Sequence, residues 1–138
     1  MRQIKFRGKS IYNNEWMYGN LRIFGERAYI SAIDSHAHSE VYLATVGQFT
    51  GLRDSKGREI YEGDIINWLS IRNGGQGFIE EGFVEFRVNE QAYMVINRIK
   101  TADNRESVCN ILRCTRDIKV IGNIHDNPEL ITNQPTEV

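Results

Sequence analysis

Two turn signals of different chemistry, Asp54-Ser55-Lys56-Gly57 and Glu62-Gly63-Asp64, cut the stretch from Val46 to Trp68 into three short apolar-rich runs. Runs that short cannot complete a stable helix, so the spacing predicts consecutive antiparallel strands. Asp54 can accept from the backbone two residues on, and Gly57 supplies the left-handed position that closes a type I turn with a bulge. The predicted hairpin has arms Gln48 to Leu52 and Arg58 to Tyr61, with Phe49 and Ile60 facing inward. Gly63 then bends the chain into the β-branched pair Ile65-Ile66, which asks for a new strand. Glu59, Glu62 and Asp64 are read in two ways: as a carboxylate cluster for metal or acid-base work, or as solvated turn carboxylates.

The same residues carry a resemblance. Gly47-Gln48-Phe49-Thr50-Gly51-Leu52 followed by Gly57-Arg58-Glu59-Ile60-Tyr61-Glu62-Gly63-Asp64-Ile65 resembles the central signature of the YopX family, small proteins found mostly in bacteriophages and prophages. Arg2 to Arg7 with Trp16-Met17-Tyr18-Gly19 is similar to the family's opening, and Val120 to Leu130 to its ending. The resemblance implies a mainly β fold with a small barrel. It brings no established activity, and hence no catalytic residue.

The period-two pattern extends the β reading in both directions. Ile4 and Phe6 alternate with Lys5 and Arg7; Trp16 to Phe24 forms a second strand, expected to bulge or bend at Gly19-Asn20; Arg27 to Ile33 forms a third. Burying Phe6, Trp16 or Tyr18, Leu21, Ile23 and Tyr29 together would fix the register of this meander. Downstream, Ile65 to Ile71, Phe83 to Val88, Ala92 to Ile99 and Ile118 to Ile124 read as strands, the last pairing with the strand after Glu62-Gly63-Asp64. The glycines from Gly74 to Gly77 read as a hairpin loop, since no lysine followed by serine or threonine makes them a phosphate loop. Residues 103–114 admit a short helix or turn, with a capping box at Asp103 and Glu106, or a strand from Asn110 to Thr115. Asn127-Pro128-Glu129 suits one helical turn.

The predicted architecture is therefore mainly β, with an antiparallel meander over 1–45, an SH3-like small barrel over 46–126 and a turn and frayed tail over 127–138; one continuous domain is the alternative. With 41% apolar and 25% charged residues, a folded chain is expected. A net charge of -1 gives no globally basic surface, though a near-neutral total can hide a basic stripe. Twelve arginines against five lysines favour interaction surfaces. No leader or membrane-crossing run is seen, so a cytoplasmic protein of a bacterial host is expected, without a cofactor. Cys109 and Cys114, four residues between them, lack redox or zinc spacing and read as structural thiols.

Function is expected to be that of a non-catalytic accessory module binding protein or nucleic acid. The expected surface is aromatic and arginine-rich, drawn from Tyr61, Trp68, Arg72 and Phe78, with core packing as the competing role of each aromatic. One alternative is a metal-dependent hydrolase or nuclease built on His36 and His38, which flank Ala37 on one side of an extended loop and would need His125 or carboxylates to complete a site. Another is a self-assembling structural protein joined as a homo-oligomer through apolar strand edges.

Overall fold

The computed structural model describes residues 2–71, 74–97, 107–114 and 116–131. They form strands and three-residue 3-10 turns, and the chain divides into two compact units, Met1–Leu52 and Arg53–Val138.

In the first unit the strands are β1 (Phe6–Lys9), β2 (Trp16–Phe24), β3 (Arg27–Ala32), β4 (His38–Val41) and β5 (Gly47–Arg53), whose last residue already lies in the second unit. They lie in the order β4-β3-β2-β1-β5. All named pairings are antiparallel, as short connections demand. Leu21 sits opposite Ile30, and Ala28 is flanked by Ile23 and Val41, so the core face holds Ala28, Ile30 and Val41 with Phe6, Met17, Leu21 and Val46 packed against them. β2 runs through Gly19-Asn20 without the expected bulge, because the pairing with β3 is continuous from Gly19 to Phe24. Parity is therefore kept along β2, and Trp16 and Tyr18 fall on the face opposite Met17 and Leu21. The expected core set of Trp16 or Tyr18 with Leu21 and Tyr29 is thus split between two faces, and Ile23 is half exposed. Gly19 is required for another reason. A Cβ there would stand 1.9 Å from the Ser31 carbonyl oxygen.

In the second unit, β6 (Glu59–Tyr61) leads to β7 (Asp64–Ile71), β8 (Gly77–Arg87), β9 (Ala92–Asn97), β10 (Ser107–Asn110) and β11 (Lys119–Asn123). A five-stranded antiparallel sheet runs β10-β9-β8-β7-β11. The pairing of the last strand with the one after Glu62-Gly63-Asp64 is as the sequence predicts, from Lys119 opposite Asn67 to Asn123 opposite Asp64. The SH3-like barrel is corrected: the described residues form no closed barrel, because β10 and β11 stand at opposite edges of an open sheet. Ile65, Phe83 and Ile96 stack on one face with Ile124, Leu130 and Ile131, while Ile66, Trp68, Val84 and Val95 are buried on the other. Burial on both faces explains why β7 carries the adjacent apolar pairs Ile65-Ile66 and Trp68-Leu69 rather than a strict alternation.

Within 103–114, β10 is followed by a 3-10 turn, Ile111–Arg113, so strand precedes turn; residues 103–106, and with them the capping box, lie outside the described residues. The turn at Pro128–Leu130 forms as expected. No helix among the described residues is long and apolar enough to cross a membrane.

Candidate functional site

The glycine-punctuated signature is a structural device. Asp54 Oδ1 accepts from the Lys56 and Arg58 amides at 2.9 and 2.8 Å, and Oδ2 accepts from Val120 N, 66 residues away, at 3.1 Å. Ser55 N adds a bond to the Ile118 carbonyl at 2.8 Å, so the turn is tied to the approach to β11 and to the strand itself. Burial alone would raise the Asp54 pKa, but the three amides and the Arg58 guanidinium outweigh it and hold the carboxyl below its ordinary value. Gly57 and Gly63 take the left-handed conformation, at φ 83° and 89°.

The neighbouring carboxylates serve the same end. Asp64, 2% exposed, accepts from Tyr61 N at 2.7 Å; Glu59 accepts from the Tyr61 hydroxyl at 3.0 Å and meets the Arg53 guanidinium at 3.4 Å. They are neither a metal cluster nor simply solvated. Among the described residues no group of three or more His, Cys, Asp and Glu side chains is placed to hold a metal ion.

Of the residues expected at a binding surface, Tyr61 (2% exposed) and Trp68 (5%) pack in the core. Phe78 is half-buried opposite Ser70, and Arg72 lies outside the described residues. His36 and His38 are exposed, with His38 Nδ1 3.4 Å from the His36 carbonyl oxygen, and His125 is half-buried in the other unit.

The outer face of the first sheet holds a cluster of cations and rings, among them Trp16, Tyr18 and Tyr29, which the sequence pattern offers to the core. Register places Arg7 opposite Tyr18, Lys9 opposite Trp16, Arg22 opposite Tyr29 and Arg27 opposite Phe24, all on the side away from Ala28 and Ile30. The Arg7 guanidinium lies 4.6 Å from the Trp16 ring centroid, Lys9 Nζ 5.5 Å from the same ring, and the Arg22 guanidinium 5.4 Å from the Tyr29 ring. Such cation–π contacts hold long side chains flat against the sheet. Arg7 is buried, Lys9, Trp16 and Tyr29 are partly covered, and Tyr18, Arg22, Phe24 and Arg27 are exposed. Glu40 also lies on this face, opposite Tyr29 and 4.0 Å from Arg27. Beside Tyr18 and Lys5 a cleft of about 190 Å³ opens, lined also by Gln3, Ala32, Ile33 and Asp34.

Charge supports the distinction between units. Residues 1–52 carry six Lys and Arg against four Asp and Glu, whereas 53–138 carry eleven against fourteen. The near-neutral total thus hides a basic stripe. The signal that could have found it is strict alternation: Lys5, Arg7 and Lys9 share one parity in the first strand, as do Trp16, Tyr18, Arg22 and Phe24 in the second.

Fold and site together define a two-unit, all-antiparallel β protein bearing a cationic aromatic sheet face. The chain belongs to the YopX family: the family model described as YopX protein matches residues 5–132, nearly the whole length. Among solved structures it is similar to protein EF1440 from Enterococcus faecalis, at 21% identity and a TM-score of 0.49, over 95% of this chain and 99% of that one. No curated protein matches it.

Proposed function

We propose that this chain is a non-catalytic binding module that takes up single-stranded nucleic acid on the outer face of its first sheet, in the phage or prophage setting that the family resemblance implies. The observation that carries the reading is the direct cross-strand alternation of four cations with four aromatic rings on one side of β1, β2 and β3. Exposed rings give unstacked bases a sequence-tolerant platform, and the cations between them meet the phosphates. An open sheet face suits single strands, and the described residues include no α-helix to enter a major groove.

Fluorescence anisotropy with a labelled oligothymidylate, over a salt series, tests the reading. With Arg7 buried, three phosphate contacts, from Lys9, Arg22 and Arg27, give a log-log slope of about -2, so affinity should fall about twentyfold between 50 and 200 mM salt. Tyr18→Ala should weaken binding about tenfold through lost stacking. Arg22→Ala should make the salt slope shallower by about 0.7. Absence of binding at low salt, or binding indifferent to both substitutions, overturns the proposal; capture of a protein on this face in place of the oligonucleotide would identify the other kind of module.

A further inference from the structure

Sequence spacing separates Cys109 from Cys114, but the chain between them folds back. Asn110 ends β10 and caps the following turn, its Oδ1 accepting from Leu112 N at 2.9 Å, and Cys114 N closes the turn on the Ile111 carbonyl at 3.0 Å. This reversal brings the two sulfurs to 3.8 Å, within thiol hydrogen-bonding distance. Cys109 is partly exposed on the sheet face it shares with Val95 and Trp68, whereas Cys114 is 1% exposed; both are free thiols. An accessible sulfur touching a buried one is the arrangement of an attacking and a resolving cysteine.

We propose that Cys109 and Cys114 are a modification site that low-molecular-weight disulfides convert reversibly into an intramolecular disulfide. The Cys109 thiolate attacks one sulfur of oxidised glutathione, forming a mixed disulfide and releasing one glutathione thiolate. Cys114 then loses its proton and attacks Cys109 Sγ, expelling the second glutathione thiolate. The two protein thiols give up two electrons, the oxidant takes them, and two glutathione thiols leave with the two protons. Forming the bond requires the sulfurs to close from 3.8 Å to about 2 Å.

The electrostatics favour this order. The hydrogen bond from the Cys114 thiol lowers the Cys109 pKa to about 7, with Arg113 assisting and burial and Glu80 opposing. The same bond, with burial and the negative charges of Cys109 and Glu80, raises that of Cys114. Lowering the Cys109 pKa raises its thiolate fraction at neutral pH by more than the lower basicity costs in nucleophilicity, so Cys109 is the faster attacking thiol. The site lies in the second unit and is independent of the nucleic-acid reading.

Equilibration of the full chain with oxidised and reduced glutathione, followed by acid quenching and mass spectrometry, tests the proposal. Trypsin cuts after Arg105, Arg113 and Arg116, so the two cysteines fall on separate peptides that only the bond would join. The expected result is loss of two hydrogens from the intact mass and recovery of the joined peptides. Cys114→Ala should keep a stable glutathione adduct on Cys109 and form it more slowly at neutral pH, because the hydrogen bond that lowers the Cys109 pKa is lost. A lasting adduct on the unsubstituted chain, a disulfide-linked dimer, or two unmodified thiols under full oxidation would overturn the proposal, and these readouts need no variant to fold.

Discussion

Replacing Asp54 with alanine removes a carboxylate whose side chain is wholly buried and which receives three backbone amides. Hydrogen bonds to a charged acceptor contribute about 1.5 to 3 kcal/mol each, but the Lys56 and Arg58 donors sit in an exposed turn where water can replace the lost oxygen. Val120 N is in a strand, and its loss, with the freed tie between turn and β11, sets the larger share. A destabilisation of about 3 kcal/mol follows, with little added by Arg58, whose side chain is 56% exposed. In urea this should move the midpoint of the second unit down by about 2 M for a slope of about 1.5 kcal/mol/M. Trp68 lies in that unit and Trp16 in the first, so the single-tryptophan backgrounds Trp16→Phe and Trp68→Phe follow each unit in turn. Because the folded pKa lies below the unfolded one, the stabilisation is complete above the unfolded value of about 4 and is lost as pH falls through the folded value. The gap between parent and variant should therefore be constant from neutrality to about pH 5 and narrow below 4. A loss under about 1 kcal/mol, or a gap that widens in acid, would refute the claim that this carboxylate locks the turn to the last strand.

Two other substitutions test the packing of each unit. Gly19→Ala forces a Cβ onto the Ser31 carbonyl, so the first unit should lose at least about 3 kcal/mol, seen as an early Trp16 transition or insoluble protein, while the second unit's transition is unchanged. Ile96→Ala opens a cavity against Phe83 and should cost the second unit about 2 to 5 kcal/mol by chemical denaturation, whereas Ile121→Ala, at a site 38% exposed, should cost about 1 kcal/mol or less.

The sequence by itself determined the local punctuation. Asp54, Gly57, Gly63 and Pro128 act through their own backbone geometry and nearest neighbours, so their turns could be read without knowing what lies across the sheet. Alternation likewise marked strands such as Trp16 to Phe24, and the apolar runs of β7 and β11 were paired correctly because each needs a partner. What only the tertiary structure decided is which side of a strand counts as inside. Trp16 and Tyr18 carry as much apolar surface as Leu21, with a polar tip besides, and Tyr61 and Trp68 are as suited to a surface as to a core; composition does not separate these roles. Register across three strands sends the first pair outward among cations, and burial on both faces of β7 draws Trp68 inward. Cys109 and Cys114 meet for the same reason: a turn capped by Asn110 reverses the chain, and contact between side chains depends on where the backbone returns rather than on how many residues intervene.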